Sequence, residues 1–504
     1  MMEMVKEGIM KTEIFLAFFV YFLCVIGVGI YFYNKLKNMK EYFLGGRNLN
    51  SWVTAMSAQA ADMSGWLLMG LPAAAYISGI SASWIAIGLA VGTYLNWRII
   101  ARRLRQFSSH MGDAITIPQY FQNRFLENKP LIRVLPAIVI FIFFLIYTAS
   151  AFNAQAKVFQ YLFSMDYTLA VSIGVLVILL YTFLGGFMAA CWTDLFQGFL
   201  MLFAMIIVPI CAFNVTPELS LPVMASMNNG TYLNLFNFAS EEISLITIIS
   251  YFAWGLGYLG MPHILVRFMA IRSGDMIKKA RIIAMVWVVL TLFSAIAIGM
   301  VGYFYLASQG IIYPDKSSAE IVFIDTVTRL VPFGFVAGIL LSAVLAAIMS
   351  TAASQLLVTA STITNDFYKL LVHPKANDKE LMIVGRVAVF LTVVLAYALA
   401  LNPNNSVMGL VSYAWAGFGA AFGPVILLSL FWRKLTVKGA YVGIFSGALG
   451  VLLWENLPLL KATGIYSILP AFVISIVLTI IASKLDEPKK EVLDLFDEAL
   501  ETVV

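Results

Sequence analysis

Between Trp52 and Ile100 two apolar stretches follow one another with a single carboxylate, Asp62. An ionisable group at bilayer depth costs at least about 2.5 kcal/mol, so it faces a protein interior and marks a path for an ion or a substrate. The segment from Ala58 to Gly65 is rich in small and polar residues, where a lipid-facing helix carries Leu, Ile and Phe. A helix that loosens here offers backbone carbonyls to a cation. A second set of oxygens lies far along the chain, where Ala347, Ser350 and Thr351 stand at i, i+3 and i+4 on one helical face. Hard cations take oxygen ligands, and two hydroxyls with a carbonyl suit them. The same hydroxyls also serve to bond back onto the preceding turn or to let helices approach closely, and the spacing alone does not decide.

A third pattern is apolar. Trp254, Tyr258 and Pro262 recur every four residues, giving a rigid aromatic stripe that could cover a small ring, or pack against neighbouring helices. Arg47 fits the charge expected at a cytoplasmic end. Asp194 follows Cys191, Trp192 and Thr193 at the expected turn between two spans, where Asp commonly caps a helix. His110, His263 and His373 have no zinc-like partner, and Cys24, Cys191 and Cys211 show no ligand spacing and are expected to pack as small apolar residues.

The elements that must hold these residues follow from composition. Of 504 residues 61% are hydrophobic and 12% charged, and a mean hydropathy of +0.90 is more than a solvated surface sustains, so the chain is a polytopic membrane protein. Each spanning helix needs roughly 20 apolar residues. About thirteen such pieces are expected, near 14 to 33, 51 to 77, 82 to 100, 133 to 156, 167 to 190, 195 to 214, 243 to 264, 282 to 307, 330 to 364, 384 to 401, 407 to 432, 439 to 454 and 462 to 483. Only Gly185, Gly186 and Asp194 punctuate the fifth and sixth. With the N-terminus outside and the C-terminus in the cytoplasm, all of the 32 Lys and Arg except Lys6, Lys11, Lys157, Lys316, Arg329 and Lys461 fall at cytoplasmic ends. The loop from Val215 to Glu242 contains neither Lys nor Arg, as that orientation requires. The net charge of +5 then reflects topology and implies no nucleic acid. Residues 1–504 read as one transmembrane domain, with no cleavable signal peptide, and 485–504 as a short charged cytoplasmic tail able to form an amphipathic helix.

Glycine and proline show where spans break. The second carries Gly65, Gly70 and Pro72, and the seventh carries Gly255, Gly257, Gly260 and Pro262, so each holds a Gly-x-Pro triplet in mid-membrane. Interrupted helices in corresponding halves point to a transporter binding site. Because the two lie an odd number of spans apart, a repeat of spans two to six in seven to eleven is inverted.

Several runs resemble the sodium:solute symporter family, and within it the sodium/proline symporters. They are Gly45-Gly46-Arg47, Ala60 to Pro72, Trp254 to Tyr258, Pro262 to Leu265, Ala346 to Thr351 and Val411 to Pro424. The resemblance covers about residues 13 to 484. It implies an all-α fold of thirteen helices with two inverted five-helix repeats and broken helices in spans two and seven. It implies sodium bound by the carbonyls of Ala60, Met63 and Ala347 and the hydroxyls of Ser350 and Thr351, with Asp62 in support. Ser64 and Gly65 would shape the region where ion and substrate meet, and Tyr147, Trp254, Tyr258 and Pro262 would contribute to a proline pocket. Arg47 and Asp194 would serve the inner gate or ion release. The family often has Ser where this chain has Ala61, which removes a hydroxyl but no carbonyl ligand. Proline suits such a pocket: its ammonium is attracted to aromatic faces and its carboxylate to amides at a helix break.

The expected function is sodium-coupled import of L-proline across the cytoplasmic membrane by alternating access. The alternative is a sodium symporter of the same family for another small organic solute. Sodium is the coupling ion, membrane lipid the surroundings, and neither a cofactor nor an obligate protein partner is implied. An enzyme would need a nucleophile and base, a metal cluster or a phosphate loop, and a channel would need more intramembrane polar residues.

Overall fold

The computed structural model describes residues 2–33, 38–216, 221–238 and 241–503. Lys35, Lys37 and parts of the loop from Val215 to Glu242 lie outside the described residues. Among the described residues regular structure is helical, apart from the two-residue strands Asn237–Phe238 and Glu241–Glu242. Nine helices among the described residues are long and apolar enough to cross a membrane, or ten if the bent pair Leu245–Leu259 and Pro262–Ala270 is one span. The chain is a multi-pass membrane protein. The count falls short of thirteen for identifiable reasons. Tyr167–Phe183 and Ile468–Lys484 are apolar but shorter, and Trp66–His110 is counted once. That last run would extend about 68 Å if straight, over twice the hydrocarbon thickness. It turns at Gly79, whose φ of 65° and ψ of −144° no ordinary helical residue adopts.

The expected boundary between the fifth and sixth spans lay between residues 190 and 195. The structure places it at Gly186, where φ 60° and ψ −171° interrupt the helical run Tyr167–Val215. Asp194 is therefore no helix cap and sits at no turn; it lies about two turns inside the sixth span. Of the cysteines, Cys191 is buried while Cys24 and Cys211 are exposed on the outer surface of the bundle.

Two spans are broken near their middles, for different reasons. The second begins at Ser51, where the Asn50 side chain accepts from the Val53 amide at 3.0 Å, and runs as a helix to Asp62. Met63 then leaves helical geometry with ψ 74°, and helix resumes at Trp66. The Gly70-Leu71-Pro72 triplet is not the break: Leu71 keeps helical angles, and a wide π turn over Trp66–Gly70 accommodates the missing proline N–H. In the seventh span the triplet does mark the break. Leu245–Phe252 tightens into a 3-10 turn over Ala253–Leu259, Met261 is extended, and Pro262 opens the next helix. A residue before proline is driven toward extended angles, and proline is tolerated at the first helical position, where its missing donor would have no partner.

The broken spans lie side by side. The Leu49 amide donates to the Ala270 carbonyl at 3.2 Å and the Arg272 amide to Leu49 at 3.0 Å, joining the entry of one to the exit of the other. Around them pack Leu131–Phe163 and the ninth span, Gly334–Thr362, which is the more deeply buried of the two and continues into a π-helical extension, Ile363–Val372, that emerges at the surface. Small residues on the ninth span, among them Ala343, Ala346, Ala347, Ala352 and Ala353, let neighbouring backbones approach. At one face of the bundle the helices Ser318–Ile321 and Val322–Leu330 are tied down by two buried acids. Lys157 donates to Glu320 at 2.6 Å, and Asp325 accepts from Tyr161, Tyr313 and Arg329. At the opposite face the terminal helix Lys490–Glu501 buries Val492, Phe496 and Ala499, with Arg433 holding Asp497 through two hydrogen bonds.

Gly186 provides a test of the boundary. Its angles belong to a region open essentially to glycine, so Gly186→Ala should lower stability by about 1–3 kcal/mol. Thermal unfolding of the purified chain in detergent measures this. Gly27→Ala, at a position with open space around it, should leave the midpoint almost unchanged.

Candidate functional site

The first cluster forms where the break in the second span meets the ninth. Beyond Gln59, whose carbonyl still accepts from the Met63 amide at 2.8 Å, the helical ladder comes apart. The Ser64 amide, which a continuing helix would give to Ala60, turns to Asp62 at 2.9 Å, and the Leu67 amide goes to Ser64 in place of Met63. The Ala60 carbonyl instead receives the Ser350 hydroxyl at 2.7 Å, and that hydroxyl also reaches the Ala347 carbonyl at 3.1 Å. Thr351 Oγ1 is buried with no hydrogen-bond partner. Ser350, on the expected face with Ala347 and Thr351, thus meets the freed carbonyl of Ala60 at a buried place. Gly65 seats the break between two spans, because an added Cβ would approach Ala154 at 3.1 Å and Ile348 at 3.3 Å.

Asp62 stands at the last helical residue before the break, wholly buried. Tyr258 donates to its Oδ2 at 2.6 Å, and Oδ1 has no hydrogen-bond partner. The Asp62 main-chain carbonyl accepts from the Trp66 indole at 3.3 Å and, at the limit of a hydrogen bond, from the Tyr147 hydroxyl at 3.5 Å. Ser64 Oγ faces the Trp66 amide at 3.5 Å. Asp62, Ser64, Tyr147 and Tyr258 therefore converge, although the sequence separates the carboxylate from the aromatic stripe.

The stripe itself is split. In a 3-10 turn four residues advance by about 120°, so Trp254 and Tyr258 point in different directions. Tyr258 turns to Asp62, whereas Trp254 stacks between Tyr466, 5.0 Å between ring centroids, and Trp415, 6.4 Å. Pro262 lies beyond the break and heads a different helix.

Asp194 and Arg47 belong to two separate networks. Asp194 Oδ2 accepts from Ser57 at 2.6 Å and from Arg267 at 3.1 Å; Arg267 also donates to Ser57, to the His263 carbonyl and, at 2.5 Å, to Ser354. This buried pair joins the second, sixth, seventh and ninth spans, and Ser354 lies one turn beyond Ser350. The charge count placed Arg267 at a cytoplasmic end; the structure buries it to 1% exposure. Its signal was available, since it is the one full charge between Met261 and Ile271. Arg47 donates to Asp113 at 2.7 Å and to the carbonyls of Met269 and Ala114. Burial alone would raise the Asp113 carboxyl, but hydrogen bonds and charges from Lys40 and Arg47 hold it below the ordinary aspartate range. Among the described residues no group of His, Cys, Asp and Glu has metal-binding geometry.

A model of the sodium:solute symporter family matches residues 42–447. The chain is 42% identical over 490 residues to the osmoregulated proline transporter OpuE of Bacillus subtilis (strain 168), covering 97% of this chain and 98% of that protein. It is 45% identical over 468 residues to the sodium/proline symporter of Escherichia coli (strain K12), covering 92% and 91%. Among solved structures, a Na+-coupled sialic acid symporter in a substrate-bound outward-open state matches with a TM-score of 0.79 at 18% identity, over 95% of this chain and 98% of that one. A nucleobase-cation-symport-1 family transporter in a closed conformation matches with a TM-score of 0.55 at 14% identity, over 91% and 98%. With a family model spanning most of the chain and relatives alike over nearly all of it, this protein belongs to the sodium:solute symporter family.

Proposed function

We propose that the chain imports L-proline together with sodium across the cytoplasmic membrane by alternating access. The observation that carries this reading is the Tyr258 to Asp62 hydrogen bond beside the freed carbonyls of the second span, in a chain whose near full-length relatives are named for proline transport. Sodium, as cargo, lies between the carbonyls of Ala60, Met63 and Ala347 and the hydroxyls of Ser350 and Thr351. The unpartnered Thr351 hydroxyl supports this set, as does Ser350, whose proton can turn away from the Ala60 carbonyl and leave both oxygens facing the ion. Asp62 supplies the field that favours a cation. L-proline lies alongside, near Ser64, Gly65, Tyr147, Trp254, Tyr258 and Pro262. Arg47 and Asp194, each in a polar network clear of the first cluster, serve the inner gate or the release of the ion.

The topology proposed is thirteen spans in one domain over residues 1–504, with the N-terminus outside and residues 485–504 in the cytoplasm. Support comes from the break at Gly79, which divides Trp66–His110 between two spans, and from the shorter apolar helices Tyr167–Phe183 and Ile468–Lys484. The inverted repeats, spans two to six and seven to eleven, are supported by the two breaks and by the pairing of Leu49 with Ala270 and Arg272. No cofactor, obligate protein partner or nucleic acid enters this reading, and membrane lipid is the solvent. Inward movement of one positive charge yields about 2.3 kcal/mol per 100 mV, enough for a modest gradient to concentrate the solute.

Asp62→Asn should fold, since it relieves a buried charge, yet lose sodium-driven uptake of labelled proline into proteoliposomes. Unchanged sodium dependence in that variant removes Asp62 from the ion site. Ser350→Ala and Thr351→Ala should each raise the sodium concentration for half-maximal uptake, about tenfold if each hydroxyl contributes about 1.4 kcal/mol, with little change in which amino acids compete. A change in competitors without a sodium shift assigns the ninth span to the solute pocket. Efficient displacement of proline by another amino acid or a sugar in the parent makes that compound the better substrate.

A further inference from the structure

The geometry points to Trp415 as a positioning residue that sets how strongly sodium and proline reinforce each other, an inference that rests on the symport reading above. Trp415 lies in mid-helix of Val407–Phe431 and is 1% exposed. Its indole N–H donates to the Trp254 carbonyl at 2.8 Å. Its ring stacks on Trp254 at 29° between planes and meets Tyr258 edge-on at 5.0 Å. Between those residues Gly257 lies so close that a Cβ there would overlap the indole. One side chain thus touches Trp254 and Gly257, which share one face of the 3-10 turn, and Tyr258 on the next.

That turn decides where the Tyr258 hydroxyl goes. In a 3-10 helix residue 258 is rotated about 120° from residue 254, and in an α-helix about 40°. The 3-10 form has the poorer internal hydrogen bonds, so it needs an external contribution. The indole N–H supplies a second donor to the Trp254 carbonyl, and the absence of a side chain at Gly257 lets the ring reach it. With the turn held, Tyr258 reaches Asp62 at 2.6 Å; relaxed toward α-helix, it would swing away. Trp415, on the eleventh span, thereby holds the one direct hydrogen bond between the aromatic segment and the acid beside the oxygen cluster.

Ligand coupling is reciprocal, so it is measured as the factor by which saturating sodium tightens binding of labelled L-proline to the purified full chain. Trp415→Phe keeps an aromatic ring and loses the N–H; Tyr258→Phe keeps the ring and loses the hydroxyl. Each should reduce the factor by about fivefold, the size expected for one ordinary hydrogen bond. The double variant should be no worse than Tyr258→Phe alone, because both changes remove the same interaction, whereas independent effects would multiply. A coupled parent together with an unchanged factor in Trp415→Phe, or with multiplying losses in the double variant, overturns the inference and leaves symport standing. Should Trp415→Phe fail to fold, an unchanged factor in Tyr258→Phe overturns it equally. A parent that binds proline alike with and without sodium overturns the symport reading, and this inference with it.

Discussion

The rest of the structure depends on a constraint set by the bilayer: no backbone carbonyl at membrane depth can be left without a partner, because no water is there to supply one. A spanning helix meets it automatically. Opening the second span at Met63 gives that up and forces the carbonyls freed beyond Gln59 to find partners elsewhere in the protein. The ninth span is the answer to this need, lying close on small residues and offering Ser350 to Ala60. The deep burial of both spans is therefore a condition of the break.

The same logic governs charge. Asp194 and Arg267 are both buried, and their cost is reduced because Ser57, Ser354 and the His263 carbonyl add hydrogen bonds to the pair, leaving only Oδ1 of Asp194 without one. Removing one partner from such a pair typically costs about 3–5 kcal/mol, since the other is left uncompensated. Arg133 and Asp366 repeat the arrangement nearer the end of the ninth span, where Arg133 donates to Asp366 at 2.7 Å and also to the Asn365 carbonyl. Asp62 differs from both. All three acids have one oxygen that accepts nothing, but Asp62 alone of them has a phenol for a neighbour and no cation among its hydrogen-bond partners. An acid left short of positive charge among freed carbonyls is the local electrostatic asymmetry of the molecule.

What could be read from the sequence divides along physical lines. A lone carboxylate in an apolar run is visible because its cost is large and local, and the face of Ala347, Ser350 and Thr351 is visible because helical periodicity is regular. In the second span the helix opens within Ala58 to Gly65, where small and polar residues signal loosening, whereas Gly70 and Pro72 mark no break because a π turn absorbs the missing donor. The one-face stripe failed because 3-10 and α periodicity cannot be told apart over a few residues. Asp194 was misplaced because the chain turns at Gly186, about two turns earlier. The contact of Tyr258 with Asp62 joins spans far apart in sequence and leaves no local pattern.

The two main-chain hydrogen bonds that tie Leu49 to Ala270 and Arg272 have a consequence for how the protein tolerates change. Backbone groups make this link, so it is indifferent to which side chains the segments carry. Alanine replacement along either strand would leave it intact, and sequence drift would not be recorded there as correlated substitution. Proline at 49 or 272, by removing an amide, would cut one of the two bonds. The broken spans are thus held in step by a contact that mutation scanning and sequence comparison both pass over.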